Sequence, residues 1–223
     1  MAVQRFFRAT TARSPWPWLS RGLRWLAMLA AAVVLMLSWQ SNYVRHERSV
    51  IAEVSKFDAR IHYDYELRGA ARPPGPQWLR SFLGDDFFAT VAGIEIKTEL
   101  VTAETVAAIA TLPHLQQLLL NAEGVDDAGL LQLAAASELE QLTFRSAVVT
   151  DAGLTQLAAL KHLTSLTIAA PHITDVGLIS LEELPNLTLV ELISTDVTAD
   201  GVARLRAALP KCDVRVYPAP SSG

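Results

Sequence analysis

Five stretches of the chain repeat one pattern of apolar and polar positions at a spacing of 24 residues, starting at Val101, Val125, Val149, Ile173 and Val197. Each opens on a β-branched residue followed by a short polar run: VTAET, VDDAG, VTDAG, ITDVG and VTADG. Positions 6 and 9 of every block are apolar: Val106/Ile109, Leu130/Leu133, Leu154/Leu157, Leu178/Leu181 and Val202/Leu205. That three-residue step is helical. Positions 18 and 20 alternate instead, as Leu118/Leu120, Leu142/Phe144, Leu166/Ile168, Val190/Leu192 and Val214/Val216. Such alternation marks a short strand with one apolar face. Every block therefore predicts a helix followed by a strand. Thr150, Thr174 and Thr198 stand where they can cap the helices. Asp127, Asp151 and Asp175 stand in the first turn, where an anion complements the helix dipole. One helix–strand unit cannot bury its own apolar stripe, so the units must stack.

The ends of such a stack need covers. Counting back one period from Val101 places Val91, Ile94 and Ile96 in register, so VAGIEIK is expected as the first strand. The aromatic-rich stretch Trp78–Phe88 ahead of it is expected as a hydrophobic lid, within a capping segment 77–100. At the other end LPKCDVRVY closes the last coil, with Cys212 as a packing residue, and residues 218–223 form a tail. Residues 44–76 are expected as a stalk and hinge. Val50, Ile51 and Val54 there continue a helix, RIHYDYE (Arg60–Glu66) reads as a strand or extended edge, and ARPPGP (Ala71–Pro76) as a turn.

The N-terminal fifth of the chain is patterned differently. Trp25 to Trp39 is an uncharged run of 15 residues with Ser38 as its one polar member. Alone it spans about 22 Å, short of the roughly 30 Å hydrocarbon core of a bilayer. Flanking residues extend it, Arg21 and Arg24 can snorkel, and Trp16, Trp18, Trp25, Trp39 and Tyr43 frame it as an aromatic belt. The reading adopted is a transmembrane signal-anchor helix over 25–43. A cleaved signal peptide and a buried soluble helix stand as alternatives; no small-residue pair suitable for cleavage lies at the outer end of the run.

Charge then orients the chain. Residues 1–24 carry Arg5, Arg8, Arg13, Arg21 and Arg24 and no acid; removing that +5 from the net −4 leaves −9 on the remainder. A basic head before an apolar run places the first 24 residues in the cytoplasm and the body on the extracytoplasmic side of the inner membrane. An acidic body excludes the usual footprint of a nucleic-acid-binding domain. With Cys212 as the only cysteine, there is no internal disulfide and no cysteine-based zinc site. His114 and His162 share one repeat position two coils apart, about 10 Å, too far for one zinc ion. The pairs Asp85-Asp86 and Asp126-Asp127 lack the alternating oxygen ligands of a calcium loop. No nucleophile-elbow, zinc-protease, P-loop or dinucleotide motif occurs. The expectation is therefore a protein that is not an enzyme, with no catalytic residues, metal, cofactor or small-molecule substrate.

The VTDAGLxxLxxLxxLxxLxL form of the blocks over residues 101–217 resembles the leucine-rich repeat family. It is similar to the cysteine-containing subclass found in F-box receptor proteins and to anchored repeat proteins of planctomycete-type bacteria. The resemblance implies an α/β fold: a right-handed horseshoe of about five repeats plus caps, strands on a concave face and helices outside, here preceded by one transmembrane helix. Positions 17, 19 and 21 would face away from the core on the concave side. Gln117, Leu119, Gln141, Arg145, Leu189, Glu191, Ile193, Arg215 and Tyr217 are the candidate partner-binding residues. An apolar cluster of Leu189, Ile193 and Tyr217 beside Glu191 and Arg215 resembles a protein-contact patch. The expected function is a membrane-anchored protein-interaction module with unidentified protein partners. A self-associating envelope scaffold is one alternative; an F-box-type ubiquitin-ligase adaptor, implied by repeat resemblance alone, is another.

Overall fold

The computed structural model describes residues 17–98, 101–121 and 123–218, and the side chains among them except those of 17–24, 27, 33, 36, 37, 39–42 and 86. The basic segment 1–24 and most of the tail 218–223 thus lie outside the described residues, in whole or in their side chains. The chain divides into Met1–Tyr43 and Val44–Gly223.

Helix α1 (Pro17–Val54) runs through the apolar stretch. Trp25, Leu26, Met28, Leu29, Val34 and Leu35 are exposed on it. Among the described residues no helix is long and apolar enough to cross a membrane, so the expected span over 25–43, several of whose side chains lie outside that set, is not found there.

The second unit is built from the repeat. Each coil contributes a helix and then a strand: α4 (Ala103–Ala110) and β3 (Gln117–Asn121), α5 (Asp127–Leu133) and β4 (Gln141–Arg145), α6 (Asp151–Gln156) and β5 (Ser165–Ala169), α7 (Asp175–Leu181) and β6 (Leu189–Ile193), α8 (Ala199–Ala208) and β7 (Asp213–Tyr217). The strands pair in parallel at the 24-residue register, so that Leu118, Leu142, Leu166, Val190 and Val214 stand side by side. This is a solenoid of stacked helix–strand coils. In the third coil Leu154, Leu157, Leu163, Leu166 and Ile168 are all fully buried. At about 1.5–3 kcal/mol per buried leucine-sized side chain, this stripe dominates the favourable side of folding.

The helix side carries a second ladder. Asp127 accepts hydrogen bonds from the Thr150 backbone N–H (2.8 Å) and hydroxyl (2.7 Å) of the next coil. Asp151 does the same for Thr174, and Asp175 for Thr198. Each threonine hydroxyl in turn accepts from a helix N–H, of Ala152, Val176 or Gly201. The aspartates expected to serve the helix dipole are thus staples between coils. They also explain the glycine at position 5: a Cβ on Gly153, Gly177 or Gly201 would stand 2.0–2.4 Å from the carboxylate of the preceding coil. The staple stops at both ends, where position 3 is Ala103 and Ala199. Where Ala103 removes the acceptor, the next coil caps its helix with Asp126 in place of threonine.

Strand β2 (Val91–Ile96) is the predicted first parallel strand, and the strand expected within Arg60–Glu66 is β1 (Ala59–Tyr63), which pairs antiparallel with β2 and passes into a short helix, α2 (Asp64–Leu67). The N-terminal end differs from the expectation in its stalk and its lid. Residues 44–54 are not a free stalk. Val50 and Val54 belong to the core cluster of the repeats. Buried Glu47 accepts from the Val91 N–H at 2.5 Å, and His46 meets the Thr111 hydroxyl at 2.9 Å. The lid is therefore the end of α1. In α3 (Gln77–Leu83), expected to cover the core, Trp78 and Phe82 are 72% and 82% exposed. A seven-residue helix preceded by Pro76 cannot turn all its aromatics inward: Leu79 and Leu83 are half-buried, which leaves the side bearing Trp78 and Phe82 outside.

Candidate functional site: the open face of the sheet

Because side chains alternate along a strand, positions 17, 19 and 21 face away from positions 18 and 20, which are buried in every repeat but the last, where Val216 is exposed. The register makes these positions into three rows across the sheet. One row is Gly93, Gln117, Gln141, Ser165, Leu189 and Asp213. The central row is Glu95, Leu119, Thr143, Thr167, Glu191 and Arg215. The third carries Asn121, Arg145, Ala169, Ile193 and Tyr217. All nine candidate residues lie on this face, half-buried or exposed.

They do not form one cluster. Leu119, Arg145 and Ile193 line a groove of about 650 Å³ that also takes in Thr143, Thr167 and Ala169. Its second wall comes from the loops after the strands, through Glu123, Pro171 and Ser194. The strand positions alone do not assign these loop residues to the site; the signal available was that each follows position 21 of its coil, in the first, third and fourth repeats. Gln117, Gln141 and Leu189 lie in the row on the other side of the sheet face and are not part of the groove lining.

At the C-terminal end the charges satisfy one another. Arg215 donates to Asp213 through Nε at 2.8 Å and to Glu191 at 3.3 Å. The bond to Asp213 holds the guanidinium above its ordinary pKa. Glu191 also accepts from the Thr167 hydroxyl at 3.2 Å and the Tyr217 hydroxyl at 3.5 Å. Glu191 and Arg215 therefore form one polar network that orients the Tyr217 ring, in place of two independent rim charges. At the other end Lys97 bonds Glu95 at 2.7 Å and holds that carboxyl below its usual range. Arg145 approaches Glu123 at 3.8 Å across the groove wall.

The remaining candidate chemistry resolves into packing. Cys212 is buried, and burial pushes its thiol up. His114 meets Glu138 of the neighbouring coil at 3.0 Å. Among the described residues no group of three or more His, Cys, Asp or Glu could hold a metal ion.

No protein-family model matches the sequence, and neither does any curated protein. Among solved structures the chain is similar to an internalin C2 from Listeria monocytogenes, at 18% identity over 62% of this chain and 90% of that one, with a TM-score of 0.29.

Proposed function

We propose that the protein is a membrane-tethered interaction module that presents the open face of its repeat sheet to a protein partner on the extracytoplasmic side. The groove at Leu119, Thr143, Thr167, Ala169 and Ile193 carries this reading. It is concave, mixed in polarity and bordered by charges already neutralised in pairs, as a partner-binding surface requires. The tether is supported by the uncharged run Trp25–Trp39, by the exposed apolar side chains on that part of α1, and by the five arginines ahead of it. The repeat form, similar to that of F-box receptors and planctomycete-type anchored proteins, accords with a binding role.

A photo-crosslinking residue at Thr167 of the full chain, expressed with its native envelope, tests the site. Discrete protein adducts are expected from Thr167, and they should disappear when Ile193 is replaced by Asp while the thermal transition is kept. Adducts unchanged by Ile193→Asp would overturn the groove as the site. Protease accessibility of residues after Tyr43 in right-side-out membranes tests the topology separately.

A further inference from the structure

We infer that helix α3 and the loop before it rest on the lipid surface, with Trp78 and Phe82 in the headgroup layer and Arg72 and Arg80 on lipid phosphates. This rests on the tethered reading above. The two aromatic rings, one helical turn apart, are among the most exposed large apolar side chains in the second unit. Tryptophan in such a position favours the membrane–water interface, where its apolar body and polar N–H are both accommodated.

Beside the rings lies a polar pocket of about 490 Å³ lined by Arg72, Gln77, Arg80 and Ser81, with Tyr65 and Asp85 also on its wall. Its lining sets two arginines against one carboxylate. The Arg80 side chain is only 13% exposed, and among the described residues it pairs with Asp85 at 3.5 Å. Its Nε–H is buried with no hydrogen-bond partner. A buried donor left unpaired is costly, and a phosphate in the pocket would draw the guanidinium into charge-assisted hydrogen bonds. Aromatic anchors beside an arginine pocket fit a phospholipid: the rings take the acyl boundary and the guanidinium groups the phosphodiester. In sequence this segment lies between the apolar run and the first repeat.

The test uses the full chain in vesicles of mixed phosphatidylglycerol and phosphatidylcholine. Trp16, Trp18, Trp25 and Trp39 are replaced by Phe so that Trp78 is the single tryptophan. Flotation of the unsubstituted chain first reports the tether. Quenching of Trp78 by lipids brominated near the headgroup, with loss of acrylamide quenching, is the expected result. The combined change Arg72→Gln and Arg80→Gln should weaken it while flotation persists. If the chain floats but Trp78 stays open to acrylamide and untouched by brominated lipid, the inference fails and the tether stands. Shielding of Trp78 without bromolipid quenching would assign this face to a protein contact and equally overturn it. A chain that does not float overturns the tether and this inference with it.

Discussion

The junction between the first two coils and the three junctions that follow are made from one repeat but held differently. In the later three, a carboxylate of one coil takes both donors of the next coil's threonine. In the first, Ala103 offers no acceptor, and Asp126 caps its own helix through the Gly129 N–H. Apolar packing alone specifies that coils stack, but it is non-directional. The staple adds direction: it fixes the height of each helix start against its neighbour. It also works from the helix side, leaving the sheet face free to vary. The outward rows accordingly vary, from Gln117 to Leu189 and from Leu119 to Glu191, while the three stapled junctions all keep Asp at position 3 and Thr and Gly at positions 2 and 5 of the next coil.

The largest test of this contrast is Gly177→Ala. In an ordinary helix the change would stabilise by up to about 1 kcal/mol. Here the new Cβ would stand 2.4 Å from Asp151 Oδ1 and 3.1 Å from Leu154 Cδ2. The carboxylate must leave Thr174, and a net loss of about 1–3 kcal/mol in chemical denaturation is expected. Gly124→Ala is the control, since a Cβ there meets nothing within 4 Å. Equal effects at the two positions would remove the staple from the account of the fold.

A smaller effect of opposite sign comes from building the missing staple. Ala103→Asp alone sets a carboxylate toward Asp126 and should destabilise by repulsion. Ala103→Asp with Asp126→Thr supplies acceptor and donor together, and Gly129 already leaves the position-5 side chain absent. The double variant is expected to gain about 1 kcal/mol, read as a non-additive cycle. Additive losses would show that the first junction cannot adopt the geometry of the others.

The finest test is titration. The Thr198 hydroxyl and backbone N–H hold the Asp175 carboxyl below its usual range. A depressed folded value contributes stability above the ordinary carboxylate pKa, and that contribution is lost as pH falls through the lowered value. Thr198→Val should return the Asp175 midpoint toward the ordinary range in an NMR titration. An unmoved midpoint would mean that the hydroxyl does not govern this carboxylate.

Much of this was legible in the sequence, and the limits follow from range. Leu166 and Ile168, or Leu130 and Leu133, reveal strand and helix because their periods are local. The Asp151–Thr174 bond joins residues 23 apart, and sequence shows only that both recur. The polar network of Glu191, Arg215 and Tyr217 likewise needs three strand positions brought side by side. Trp78 and Phe82 were expected inside on composition; which face of α3 turns inward is decided by what else covers the first coil.

By itself, then, the sequence determined the coil: its period, its helix and strand, and the residues each presents inward, because a side chain's burial within a repeat follows from backbone periodicity. Only the tertiary structure decided what joins coil to coil and what closes the stack. The Asp–Thr staples, the antiparallel pairing of β1 with β2 and the lid from the end of α1, with Glu47 on the Val91 N–H, are all contacts between residues remote in sequence. Their geometry exists only once the coils are in place.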